Sequence, residues 1–223
     1  MIPWRDAGSL IRFPARLGTA VLAVGAAAAL LGWAQTATGP DRTGLTLAGW
    51  LAFYLAGTQL IETARLEADD PGRADPLGPG FPAIAVAHAV VPVMVLILTG
   101  LLAAAVGSIG LGGTGALPLW LLPLAAPETI AAGLISAYRG PQPLGLLVGV
   151  DTPFGNTGPL GLALWYLRGT LIMLLTLTAL TRGLAGSSHH LSDLPIAGAV
   201  ALLLGNTGLR WVRRLAANLQ RAL

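Results

Sequence analysis

Three ionisable side chains interrupt long apolar runs: His88, Glu128 and Arg168. Such groups are costly in hydrocarbon and mark a functional site by default. His88 falls near one end of its run, where a neutral imidazole bonded to a backbone carbonyl is the expected state. Glu128 follows Pro123 and Pro127. These prolines should break or kink the helix, with Pro127 opening its second half. A carboxylate at the start of that half also suits the helix dipole. Arg168 is expected to pair with Glu128. Each lies ten residues from the end of its span, or about 15 Å at about 1.5 Å per residue, and consecutive antiparallel helices tend to be neighbours. The alternative places Arg168 at the interface, with its span starting at Gly169.

The other concentration of polar chemistry is residues 62–81, which hold five of the ten acidic residues. So charged a segment must lie in water. Residues 62–70 lack Gly and Pro and should extend the preceding helix until Asp70-Pro71-Gly72 stops it. Pro76, Pro79 and Pro82 keep the return path extended. The expected element is a short, rigid cytoplasmic helix whose Glu62, Arg65, Glu67, Asp69, Asp70 and Arg73 meet another protein. The plainer alternative is a solvated connector.

Catalytic chemistry is hard to find. All thirteen Lys and Arg residues are arginine, which excludes a phosphate loop of the GxxxxGK[ST] type and lysine nucleophiles. There is no GxSxG elbow, HExxH or paired-glutamate metal motif. Asp69, Asp70 and Asp75 lack the leading Asp-Gly and the glycine spacing of the CDP-alcohol phosphotransferases. His189-His190 has too few neighbouring ligands for a metal. The sequence therefore points to no enzyme, with no catalytic, cofactor or metal residues. The absence of cysteine excludes disulfides.

The elements that would carry these groups follow from composition. With 54% hydrophobic residues, 10% charged and a mean hydropathy of +0.72, the chain reads as an all-α polytopic membrane protein. Residues 1–16 carry Trp4, Leu10, Ile11 and Phe13 against an arginine side, as in a helix lying in the interface, and Pro14 turns it into the first span. A ragged cytoplasmic tail is the alternative. Six spans follow at about 17–34, 45–62, 82–106, 117–138, 158–181 and 194–211, each near the roughly 20 residues a bilayer needs. Together they make a transmembrane domain over 17–211, followed by a basic cytoplasmic tail at 212–223. With a cytoplasmic N-terminus, ten arginines fall inside and only Arg42 and Arg182 outside. That bias puts both termini and the acidic loop in the cytoplasm. The net charge of +3 belongs to arginines flanking spans and implies no nucleic-acid partner. Arginine-only, Ala/Gly/Leu-rich usage fits the plasma membrane of a bacterium with a GC-rich genome. Gly-Asn-Thr-Gly recurs at 155–158 and 205–208, in flanks too different for a repeat.

The order of parts, an interfacial helix, two spans, a cytoplasmic helical loop, four spans and a basic tail, resembles the membrane subunit of an ABC-2-type transporter. Three sets of segments are similar to poorly characterised ABC-type permeases of high-GC bacteria. They are Trp4-Arg5-Asp6 with Arg12-Phe13-Pro14, then Ala64-Arg65-Leu66-Glu67-Ala68-Asp69-Asp70-Pro71, then Asp151-Thr152-Pro153-Phe154-Gly155-Asn156-Thr157-Gly158 with Leu164-Trp165-Tyr166-Leu167-Arg168-Gly169. The resemblance implies a permease in which the loop between spans two and three docks on a separate ATP-hydrolysing subunit. It also implies a homodimer, or a heterodimer with a second membrane subunit. These permeases are often about twice this length. A proton- or ion-coupled secondary transporter using His88, Glu128 and Arg168, or a non-transporting scaffold, are the alternatives.

Overall fold

The computed structural model describes residues 2–70, 80–111, 113–153, 155–186 and 193–221, so Arg73, Asp75 and His189-His190 lie outside the described residues. The chain is nearly all helical. An N-terminal helix α1 (Ile2–Arg12) breaks at Phe13, whose φ of −121° and ψ of 68° reflect the exclusion of the α region before a proline. Pro14 then opens α2 (Pro14–Ala34), where a missing N–H costs nothing. Asp6 and Leu10, four residues apart on α1, are buried. Trp4, Ile11 and Phe13 are exposed, whereas Leu10 of the same expected apolar side joins the core.

Six long helices follow, alternating in direction. Gly49 of α3 (Gly39–Leu60) packs on Leu31 of α2, and Gly100 of α6 (Val90–Leu111) on the backbone of Pro123 in α7 (Leu121–Ala137). On α9 (Gly158–Gly186), Gly169 meets Ala132 of α7. Along α10 (Asp193–Arg221), Gly198, Gly205 and Gly208 meet Leu124, Pro127 and Ala131 in turn, so α10 runs parallel to α7. Small residues at these contacts let helices approach without a hydrophobic driving force. Between the long helices lie α4 (Glu62–Ala68), α5 (Phe81–Ala87), a 3₁₀ segment Gly113–Trp120, α8 (Leu144–Val148) and an antiparallel hairpin of β1 (Asp151–Thr152) and β2 (Gly155–Asn156). Gly155-Asn156 forms β2 of that hairpin, whereas 205–208 is plain helix, so the repeated tetrapeptide has no shared structure.

Helix α7 is the axis of the molecule. Nearly every residue from Leu121 to Ile135 is buried. Two expectations for it are corrected. The helix runs unbroken through Pro127, and Glu128 is therefore mid-helix rather than at a helix start. α10 packs closely here: a Cβ at Gly205 would lie 2.8 Å from Pro127 Cβ and 2.9 Å from Glu128 N. Trp50 on α3 is fully buried and its Nε1 donates to Thr181 Oγ1 on α9 at 2.9 Å. Outward, α2, α6 and α9 present Leu22, Leu98, Leu102, Ile109 and Leu175.

Among the described residues four helices are long and apolar enough to cross a membrane, or five if α3 and α4 together count as one bent span. The chain is thus compatible with a membrane protein. α10 has 29 residues and is not among the four; its second half carries Arg210, Arg213, Arg214 and Arg221. The expected continuous extension of α3 through Asp70 is also corrected: α4 is helical but turns 62° from α3 at Ile61. No Gly or Pro sits at the bend. It is set by tertiary contacts, with Ile61 buried against Gly133 and Glu67 drawn inward.

Candidate functional site

The α3–α4 elbow lies at the end of the bundle where α7 finishes, together with α1, α5 and the last turns of α10. Gly140 just beyond α7 reaches Leu219 of α10 there. Four side chains from three parts of the chain, α1, α4 and the α5–α6 turn, meet at this end. His88, in the turn between α5 and α6, faces Asp6 Oδ2 of α1 through Nδ1 at 2.8 Å. It faces Glu67 Oε2 of α4 through Nε2 at 2.9 Å. Arg5 on α1 also contacts the Glu67 carboxylate. The His88 side chain is fully buried, and those of Asp6 and Glu67 are 3% and 5% exposed. The Arg5 guanidinium and both His88 ring nitrogens thus face the two carboxylates, the kind of pairing that buried charged groups require.

Two expectations change here. His88 bonds carboxylates rather than a backbone carbonyl, because α1 and α4 close over it. Glu67 points into this network and does not face outward for a partner. The outward side of α4 is instead Leu66, 56% exposed, with Asp69 exposed after it. Glu62 is half-buried and pairs with Arg16 of α2 and Arg65 of its own helix, each at 3.7 Å. Asp70 is exposed beyond the helix end. Arg5, Thr63, Leu66 and Glu67 border a cleft of about 220 Å³ between α1 and α4.

Tyr138, at the C-terminal end of α7, is buried beneath the same network and packs edge-on against Phe81 at 5.6 Å. Asp6, Arg5 and Tyr138 were not legible as site residues. The one available signal was an acid four residues before Leu10 on an otherwise basic helix. Among the described residues no group of three or more His, Asp or Glu could hold a metal ion; the cluster is a hydrogen-bonded ion network.

The second site is Glu128. Its expected pairing with Arg168 is not formed. Glu128 Oε1 accepts from Thr176 Oγ1 on α9, and its Oε2 has no partner among the described residues. The Arg168 guanidinium lies over the Trp211 ring of α10 at 5.2 Å, with no partner for Nε or Nη2 among the described residues. The register explains the miss. Gly169 sits against Ala132 and Glu128 opposite Thr176, so α9 begins more than a turn beyond the end of α7 instead of level with it. Arg168 and Thr176 are eight residues apart in α9, which separates Arg168 from the level of Glu128 by about 12 Å. α9 itself is continuous across Arg168. Near the same end Arg139 stacks on Trp165 at 5.0 Å and Tyr166 at 4.0 Å. Two arginines thus lie on three aromatic rings.

Comparison with protein-family models, curated proteins and solved structures finds no match to this chain.

Proposed function

We propose that the chain is a membrane-spanning permease subunit of an ABC-2-like transporter. In this reading six helices cross a bacterial plasma membrane, α10 among them, with both chain ends and α4 in the cytoplasm. A separate subunit hydrolyses ATP and docks on α4. The permease itself carries no catalytic group, and pairs with a second copy or a second membrane subunit through its apolar outer faces.

The observation that supports this most is the elbow. α4 is a short helix bent away from α3, and its inner side is fixed by Glu67 to Arg5 and His88. A push on its exposed Leu66–Asp69 side cannot be absorbed locally. It passes into α3 through Ile61 and into α6 through His88, both of which pack on the α7 axis. A solvated connector would need no buried ion network beneath it. The cation- or proton-coupled alternative draws support from the buried carboxylate of Glu128, and would need no ATPase.

The test uses the exposed side of α4, because changes to Glu67 would unmake the elbow itself. Co-purification in mild detergent should recover an ATP-hydrolysing subunit with the native chain. Leu66→Arg together with Asp69→Arg should abolish that recovery and leave membrane insertion intact. Recovery unchanged by the double substitution removes the docking role. Single cysteines at Thr38 and Asp69, probed with an impermeant label in intact cells, check orientation. Labelling at 69 but not at 38 reverses it.

A further inference from the structure

Neither the elbow nor helix packing calls for a carboxylate at Glu128. Residues from α7, α9 and α10 enclose a cleft of about 240 Å³ around it. Its walls are apolar or small: Ala131 and Ala132 of α7, Gly169 and Met173 of α9, Gly208 and Trp211 of α10. Glu128 is 5% exposed. Thr176 satisfies one of its oxygens, and the other is buried with no partner among the described residues. A buried acid left half-satisfied costs free energy unless a complementary group completes it.

We propose that this cleft binds an organic ammonium cation with an apolar body, its charged nitrogen at the Glu128 carboxylate and its body against the walls. The donor set argues against a bare metal ion. Hard cations need several oxygen ligands to replace their water, and the cleft offers a single carboxylate and hydroxyls. An organic cation is weakly hydrated and can use the apolar walls, whose burial contributes in proportion to area. Electrostatics also give the ligand a direction. The wall at Trp211 carries the Arg168 guanidinium over its ring, which repels a positive group and leaves Glu128 as the place for the nitrogen. Like charges set against each other in this way discriminate as strongly as attraction does.

Equilibrium dialysis on the native chain in nanodiscs tests the site, with radiolabelled benzyltrimethylammonium as the probe. Neopentylbenzene, its uncharged isostere, is the competitor. Saturable binding is expected that the isostere does not displace at equal concentration. Glu128→Gln, which keeps the shape and removes the charge, should weaken binding at least tenfold, equivalent to about 1.4 kcal/mol. Thr207→Phe, at an exposed position bordering the cleft, should abolish binding with Glu128 in place. Unchanged helix content by circular dichroism accompanies each variant. The proposal is overturned by any of four results. These are no saturable binding (the result if Glu128 holds only a proton), equal affinity for the neutral isostere, unchanged affinity in Glu128→Gln, or retained binding in Thr207→Phe. No ATPase takes part, so failure here leaves the docking reading of α4 standing.

Discussion

Replacing His88 with alanine should detach α1 from the bundle. Asp6 is buried, its Oδ2 bonds His88, and its Oδ1 has no partner among the described residues. Glu67 would retain Arg5; Asp6 would retain no side-chain partner. Removing one member of a buried ion pair costs about 3–5 kcal/mol, mostly the penalty of the charge left behind. The cheapest relief is for α1 to swing out and hydrate Asp6, exposing Leu10 as it goes. The absence of cysteine makes this measurable. A single Leu10→Cys, at a site 8% exposed, labels with a maleimide only when α1 opens. A loss of about 3 kcal/mol should speed labelling by about two orders of magnitude, at a factor of ten per 1.36 kcal/mol. Adding Asp6→Ala removes the stranded charge and should bring the rate back towards the native one. Val24→Cys on α2, 2% exposed, should label at an unchanged rate, separating local opening from unfolding. An unchanged Leu10→Cys rate in His88→Ala, or a faster rate in the double variant, refutes the argument.

Two further outcomes concern the packing that positions both sites. Gly169→Ala would bring a Cβ within 2.6 Å of the Ala132 carbonyl oxygen. The neighbour is backbone and cannot yield, so a loss of about 1–3 kcal/mol is expected. It should appear as a lower thermal midpoint in detergent, and a native midpoint would show that α9 and α7 are less tightly apposed. Thr181→Val should cost about 1–3 kcal/mol by stranding the buried Trp50 N–H, whereas Thr181→Ser should melt like the native chain. Equal midpoints for Val and Ser would remove that hydrogen bond from the fold.

The sequence made the long helices legible, because hydropathy and proline placement act within one element. Pro14 marked the start of α2, and the Gly- and Pro-free run 62–70 marked the helical stretch whose observed part is α4 (Glu62–Ala68). What it could not show were relations between elements. His88 lies 82 positions from Asp6 and 21 from Glu67, and no spacing rule joins three helices across such distances. The bend at Ile61 carries no Gly or Pro because tertiary contacts impose it. The Glu128–Arg168 expectation failed on register alone. Counting from span ends assumes that adjacent helices end level, and α9 overhangs α7. Pro127 misled because α7 continues through it, close against Gly205 of α10.

On the membrane-spanning reading proposed above, the central position of α7 bears on how the chain would enter the bilayer during synthesis. It is the most enclosed of the four span-length helices and the least apolar, with Pro123, Pro127 and Glu128 in its first turns. On leaving the ribosome it meets lipid or the insertion machinery with α2, α3 and α6 already made. Two of the helices that will shield it, α9 and α10, are not yet translated. Its polar side is covered only when Thr176 and Gly205 arrive. On that reading assembly would not proceed strictly one helix at a time: α7 would wait at the insertion site for the last third of the chain, and a nascent chain arrested before α9 would leave Glu128 facing lipid or slipping back to water.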